Sequence, residues 1–393
     1  MIADYGLYII RHMLRPPLEE GDIVDENFKQ AVEVVTQYDR ASASLLQRSL
    51  DIGYARAARI IDQLEAAGVV GPAEGSAPRE VLVRDPQELF GDHWEKLGQK
   101  EEQEVEEWPP KPPANYKIPS GVSLSKVDVP WGTQFSEAYE RAEYKESEIE
   151  FPIPLGFDEN GKLRIESLLE VNNLIVTGNT LSQKENLVDT ILVANLLRHD
   201  PAQLKIILID PTHYLDLYNG IIHLLSPVIN SHDKIISALK WAWAENDRRL
   251  KAFSEKGIRD LKAYNEKMGF QAVPHILNIV CPDFFDAKTE DVLTMLTAQG
   301  ARTGIHTIIV VDRTSGASLP SIIKSNIPAR AVFRLTSAGE SRAIDVSGAE
   351  KLEPGELIYR PNYGSAVKVN AVFAPEVNVK EVLEAVKHVA NHA

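Results

Sequence analysis

The sequence predicts an α/β protein: a parallel-rich sheet covered by helices, preceded by a small winged helix-turn-helix domain. Three observations predict it. From about residue 151 onward, apolar runs of strand length alternate with helical stretches. Residues 23–85 carry three helical segments and then two short β-rich ones. Between these regions lies a stretch with the composition of a linker.

Taken in order, residues 1–22 form an N-terminal extension and residues 23–85 the winged helix. Phe28, Val32, Val35 and Tyr38 recur at three- and four-residue spacing, as one face of a helix does. Ser42 to Leu50 reads as a second helix. Tyr54 to Ala67 reads as a third, with Ala57, Ile60, Ile61 and Leu64 on one side and Gly68 as its stop. Val69 to Pro72 and Glu80 to Val83 then read as two strands around a polar turn. Residues 86–150 change character. Glu101 to Glu107 holds five glutamates in seven positions, and six prolines fall between Pro109 and Pro130. That composition predicts a stiff, acidic, largely unfolded connector with a helix near Phe135 to Lys145.

In residues 151–393 the best strands are Leu174 to Thr177, Lys205 to Ile209, Ile276 to Val280, Ile305 to Val311 and Ala331 to Leu335. They are continuously apolar rather than alternating, as strands covered on both faces are. Asn186 to Leu197, Ile235 to Phe253, Glu290 to Ala301 and Pro320 to Lys324 supply the intervening helices.

Composition narrows the function classes. The chain has 393 residues, 44% hydrophobic and 25% charged, with a formal net charge of −15. These values exclude a wholly disordered chain and argue against one that coats nucleic acid nonspecifically. The single cysteine, Cys281, excludes a disulfide framework and a Cys-rich zinc site. The start lacks the cationic head of a signal peptide, and no run reaches the roughly 18 apolar residues of a membrane span. A cytoplasmic protein without a membrane segment is expected.

The functional crevice of an open parallel sheet lies beyond the carboxyl ends of its strands. The first such end runs Thr177-Gly178-Asn179-Thr180-Leu181-Ser182-Gln183-Lys184-Glu185 into a helix. Gly178 and Lys184 have the spacing of a phosphate-binding P-loop, with Asn179 and Thr180 in its turn. Gln183 replaces the second glycine, and a side chain there restricts the backbone's approach to phosphate. Glu185 replaces the hydroxyl residue that would hold Mg²⁺. A carboxylate about 4 Å from a phosphate charge costs roughly 4 kcal/mol at an effective dielectric near 20, unless it meets the metal itself. An ordinary strand-to-helix turn with a solvated lysine is the competing reading.

A nucleotide hydrolase also needs acidic groups at the end of an apolar strand, to hold Mg²⁺ and the attacking water. The candidate strand, Ile276 to Val280, ends instead in Cys281-Pro282-Asp283. Asp283 substitutes only if the chain slips by two residues, which Pro282 opposes. Cys281 reads as a small buried hydrophobe. His275 and His306 are single histidines on strands, without metal-ligand spacing.

Taken together, these segments resemble the FtsK/SpoIIIE DNA translocases. Ala43 to Arg48, Gly53 to Glu65 and Gly68 to Val83 resemble that family's γ winged helix. Pro152 to Gly156, Ile209-Asp210-Pro211, Tyr218-Asn219-Gly220 with His223-Leu224-Leu225, and Gly304-Ile305-His306 are similar to its RecA-like motor. So are Asn326 to Arg330, Ser341-Arg342 and Ser347 to Leu352. The resemblance implies a RecA-like P-loop-type domain, ATP and Mg²⁺ as cofactors, and double-stranded DNA as partner. It also implies a homo-oligomer, hexameric in the family, or a hetero-oligomer with an active motor.

The departures are systematic. The γ-like module precedes the motor here, whereas in the family it follows. Asp312 stands where a polar sensor glutamine is expected, Thr212 replaces a lysine after Asp210-Pro211, and the segment after Leu352 is shortened. The resemblance makes Arg342 either a residue facing a neighbour's nucleotide or an interface salt-bridge donor. In the winged helix it implies base-reading positions at Ala55, Arg59 and Asp62, flanked by Arg48 and Arg56. Alanine at 55 has no hydrogen-bonding group, and residues 23–85 carry 7 basic against 10 acidic side chains. A DNA-binding face and a protein-contact face both remain open. The expected function is a DNA-binding pseudo-motor impaired in ATP hydrolysis; an active translocase and a non-catalytic scaffold are the alternatives.

Overall fold

A computed structural model describes residues 27–72, 78–86, 116–129, 131–269, 273–282, 286–311 and 319–392. The chain forms two compact units, residues 1–106 and 107–393.

The first unit holds helices α1 (Phe28–Val35), α2 (Ala43–Leu50) and α3 (Tyr54–Ala66), with strands β1 (Arg40–Ala41) and β2 (Arg79–Glu80). Ser42 caps α2 by accepting from the Leu45 amide at 3.2 Å, and Asp51 ends it in the left-handed conformation at φ 51°. The expected apolar faces close on one another, with Phe28, Ala31, Val32 and Val35 buried against Leu46, Ala57, Ile60, Ile61 and Leu64, except at Tyr38, which lies beyond the end of α1 and is exposed. The wing differs in detail from the expected hairpin. Val70 and Val81 make an antiparallel bridge, while β2 pairs with β1, a strand just before α2 that is too short to read from the sequence.

The second unit is built on a ten-stranded sheet. In chain order its elements are β3 (Thr133–Gln134), α4 (Phe135–Glu140), α5 (Ala142–Lys145), β4 (Pro152–Phe157), β5 (Leu163–Ser167), α6 (Leu168–Val171) and β6 (Asn173–Thr177). They continue as α7 (Leu181–Leu196), β7 (Leu204–Ile209), α8 (His232–Glu255), α9 (Leu261–Met268), β8 (His275–Val280), α10 (Ala287–Gln299), β9 (Ile305–Val311) and α11 (Ser321–Asn326). The last are β10 (Arg330–Val332), α12 (Ala338–Ala343), β11 (Glu356–Arg360), β12 (Val367–Phe373) and α13 (Glu376–His392).

The strand order is β5-β4-β12-β11-β10-β6-β9-β8-β7, with β3 beside β12. From β10 to β7 every pairing is parallel, and this half is the one the sequence predicted. Its strands bury both faces: Leu174, Val176, Leu277 and Ile279 enter one core, Ile175, Ile276 and Val280 the other. The other half, β11, β12, β4 and β5, is antiparallel. Residues 131–150, expected within an unfolded connector, fold onto this half. Trp131 meets the Phe373 ring edge-on at 4.4 Å, and Phe135 and Tyr144 are buried. The Arg198 guanidinium lies 4.3 Å from the centre of the Tyr144 ring. Four anchoring aromatics and a guanidinium outweigh the polar composition around them.

Candidate functional site

The P-loop-like segment lies between β6 and α7, at the carboxyl edge of the parallel half. Gly178 is required there for packing: a Cβ on it would sit 2.6 Å from the Cβ of Phe333. The Asn179 amide donates to Arg334 O at 2.9 Å and its side-chain Nδ2 to Thr336 Oγ1 at 2.9 Å, so this turn is tied to the segment after β10. Thr180 precedes α7 without capping it through its side chain. Gln183 and Lys184, expected near a phosphate, are buried, Lys184 to 1% exposure, and Lys184 Nζ lies 3.5 Å from Val311 O. The solvated lysine of the alternative reading is therefore not what the fold contains.

Glu185 is half-buried and lines a crevice of about 40 Å³ with Leu181, Thr212, Tyr214, Cys281 and Pro282. The polar groups around it are bound to one another. Asp210 accepts from the Thr212 amide at 2.9 Å, the Thr212 hydroxyl at 2.6 Å and the Leu215 amide at 2.7 Å. Asp189, one turn beyond Glu185 on α7, is buried and accepts from the Tyr218 hydroxyl at 2.7 Å and from the Tyr214 hydroxyl. Burial pushes the Asp189 carboxyl up to about 7; the two tyrosine bonds oppose the shift, and Glu185 and Glu376 add to it. Sequence reading missed Asp189, because its partners lie 25 and 29 residues away.

Asp283 and Asp312 lie outside the described residues. Arg342 is exposed at the end of α12, beside the half-buried Glu350, whose carboxylate is held low first by the Ser341 hydroxyl. Among the described residues, no three His, Cys, Asp or Glu side chains gather as a metal site. No described helix is long and apolar enough to cross a membrane.

In the winged helix, Arg48 and Arg59 are exposed, and Arg48 Nε donates to Ser44 O at 3.1 Å. Arg56 is half-buried on the same helix as Arg59, and Ala55 is in the first turn of that helix. Asp62 is exposed but paired: Arg79 of β2 reaches it at 2.6 Å and Glu65 at 2.7 Å. Arg79, a fourth basic side chain of the module, is thus folded onto α3 and paired with two carboxylates.

Residues 22–84 match the FtsK gamma domain, and residues 134–352, more than half of the chain, match the FtsK/SpoIIIE family. The chain belongs to the FtsK/SpoIIIE family. It is 33% identical over 261 residues to the DNA translocase FtsK of Caldanaerobacter subterraneus subsp. tengcongensis, covering 64% of this chain and 37% of the relative. The corresponding figures for the DNA translocase FtsK of Pseudomonas aeruginosa are 30% over 289 residues, 65% and 36%. The chain therefore spans little more than a third of the length of the curated relatives it matches.

Among solved structures, the pCW3 conjugation coupling protein TcpA, in its monomer form with ATPγS, aligns at TM-score 0.53 and 17% identity, over 83% of this chain and 84% of that one. The cytoplasmic domain of the Thermomonospora curvata type VII secretion ATPase EccC aligns at TM-score 0.53 and 18% identity, over 69% and 34%. At such identities the likeness concerns the fold: a RecA-like, P-loop ATPase type of α/β domain, here with the FtsK/SpoIIIE winged helix at its amino side.

Proposed function

We propose that this FtsK/SpoIIIE-family chain is a DNA-associated pseudo-motor, acting as an accessory or regulatory subunit in DNA translocation or chromosome segregation with impaired ATP hydrolysis. The observation that carries the reading is the crevice at the carboxyl edge. Its volume of about 40 Å³ is that of one or two waters, whereas small-molecule sites occupy roughly 300–1,000 Å³. A Mg²⁺-bound nucleoside triphosphate fits these residues poorly. Glu185 lines the crevice with its carboxylate, Cys281 and Pro282 follow the strand His275–Val280, and Asp210 is bound to the Thr212 and Leu215 turn. No hydrolytic step follows from that arrangement.

Family membership and the exposed Arg48 and Arg59 support duplex DNA as the partner of the winged helix. The relatives' name, DNA translocase FtsK, supports a role in DNA translocation, and the family resemblance supports either a homo-oligomer or a hetero-oligomer with an active motor.

The test is ATP turnover by the purified chain with and without long duplex DNA, beside a Lys184→Ala control whose folding is checked by its melting curve. The expected result is turnover no higher than the control, with duplex retained at low salt. DNA-stimulated hydrolysis that disappears in Lys184→Ala would make the chain an active motor. Absence of duplex binding at low salt would leave only the protein scaffold.

A further inference from the structure

The turn that follows β7 brings together three polar side chains, His213, Asp216 and Asn230, that the proposed function does not use. Thr212 and Tyr214, on either side of His213, line the carboxyl-edge crevice, but none of the three does. Backbone ties fix their positions. Ile209 and Ile229 pair as a parallel bridge and the Asp210 amide donates to Ile229 O at 2.8 Å, which sets Asn230 beside the turn. The Val228 amide donates to Asn219 Oδ1 at 2.8 Å, so the far end of the 3₁₀ helix Tyr214–Tyr218 is held to the same segment. His213 precedes that helix at φ 66°, in the left-handed region, with its imidazole against Asp216 three residues on.

His213 Nδ1 lies 2.8 Å from Asp216 Oδ2 and 2.9 Å from the Asn230 amide group. Hydrogen bonding fully satisfies at most one of these contacts. If Nδ1 carries a hydrogen, that hydrogen serves the carboxylate and the Asn230 NH₂ faces another N–H. If Nδ1 accepts from the amide, the carboxylate faces a lone pair. Turning the amide about sets two oxygens before a single hydrogen. The other oxygen of Asp216, Oδ1, is sealed from solvent and has no hydrogen-bond partner among the described residues.

A cation takes all three groups at once. Ions of the zinc class hold imidazole nitrogen and carboxylate oxygen at about 2.0–2.2 Å, so two ligands at right angles on one ion stand about 3 Å apart. Both distances at His213 Nδ1 are of that size. With the amide turned, Asn230 supplies a neutral oxygen, and the 61% exposure of His213 leaves the remaining positions to water. The imidazole selects against Mg²⁺ and Ca²⁺, which prefer oxygen throughout. We propose that His213, Asp216 and Asn230 bind one divalent transition-metal cation, of the Zn²⁺ or Ni²⁺ class, which pins the turn after Asp210 to the segment at Asn230.

The experiment titrates the full chain, stripped of metal by a chelator and kept in excess Mg²⁺, with Ni²⁺ by calorimetry. One ion is expected to bind with a dissociation constant of about 10 μM or below. His213→Ala removes a ligand and should weaken it by at least the roughly tenfold that loss of a mere outer partner costs elsewhere. Asn230→Asp adds a charged oxygen and should tighten it severalfold, a gain that a simple ion pair does not predict. The His232–Asp286 pair, and His388 with His392 four residues on, compete for the ion, so His232→Ala and His388→Ala serve as controls and should leave this affinity unchanged. Ni²⁺ should also raise the melting temperature of the parent and not that of His213→Ala. No saturable site below about 100 μM, or equal affinity in parent and His213→Ala, overturns the proposal and leaves a surface ion pair only. Loss of the site in either control, with His213→Ala unaffected, does the same. Where melting curves show that His213→Ala does not fold, Asn230→Asp decides, and no tightening there overturns the proposal.

Discussion

The two ends of one sheet have been treated differently. At the carboxyl edge, where open α/β sheets place their ligands, polar side chains are bound to each other and the crevice beside Glu185 measures about 40 Å³. At the opposite, amino edge, the buried His199 and His306 and charged side chains such as Glu150, Lys262 and Arg302 border a cavity of about 840 Å³. The difference teaches that a RecA-like scaffold does not depend on the loop chemistry at the ends of its strands, because the strands are held by apolar contact on both faces.

The largest expected effect tests what supports the open edge. Arg249 of α8 is 1% exposed and donates to Pro274 O at 2.9 Å and Thr303 O at 2.7 Å, just before β8 and β9. Its charge is balanced by Glu245, 2.6 Å away and 4% exposed. Glu245→Ala leaves a buried cation without its carboxylate, and such losses cost about 3–5 kcal/mol. Denaturant unfolding followed by Trp241 and Trp243 fluorescence should show that loss. A cost under about 1 kcal/mol would mean the amino edge does not depend on the pair.

The second prediction sets the two edges against each other in pH. His199 and His306 are held near 4 and His223 near 3 by burial, all below the ordinary imidazole value. The unfolded chain therefore binds protons that the native chain refuses. Stability contributed by these groups is complete above about pH 6.5 and falls toward pH 4, by up to roughly 1.4 kcal/mol per pH unit for each. Asp189 acts in the other direction. With its carboxyl raised to about 7, the native chain keeps a proton that the unfolded chain has lost, so its contribution is complete below about pH 4 and declines as pH rises to 7. Asp189→Asn should gain on the parent by up to about 1.4 kcal/mol per unit across that window. Parallel profiles for the two proteins would remove the raised carboxyl from the account of the carboxyl edge.

How much of this was legible follows from the range of each signal. The parallel half was readable because Leu174 to Thr177 or Ile305 to Val311 announce two-sided burial in a few consecutive residues. The antiparallel half was not: β5 alternates Leu163, Arg164, Ile165 and Glu166, and β4 contains Pro152 and Pro154, which argue against an interior strand until its partners are known. Gly178 and Lys184 stand out by their spacing, yet the burial of Lys184 and the Asp189 contacts with Tyr214 and Tyr218 depend on how β7 and α7 pack. His275 and His306 looked solitary because 31 residues separate them. The β8–β9 register, with Leu277 opposite His306, brings them diagonally together.

The smallest expected effect asks whether the narrow crevice at the carboxyl edge is held by its own hydrogen bonds. Thr212 stands where the family resemblance expects a lysine, and its hydroxyl donates to Asp210 Oδ1 at 2.6 Å, beside a second bond from its amide to the same oxygen. Thr212→Val keeps the β-branched shape and removes one of three donors to a carboxylate that is 1% exposed. The cost should be about 0.5–1.5 kcal/mol, since the two backbone amides remain. Thr212→Lys removes the same hydroxyl and adds a cation at the crevice, where Glu185 supplies an opposite charge. If the internal bonds of Asp210 are what keeps the crevice narrow, Thr212→Lys should bind a nucleotide analogue more tightly than the parent, while Thr212→Val should not. Identical affinity in all three proteins would assign the narrow crevice to packing around Phe333 and Gly178, which neither substitution touches.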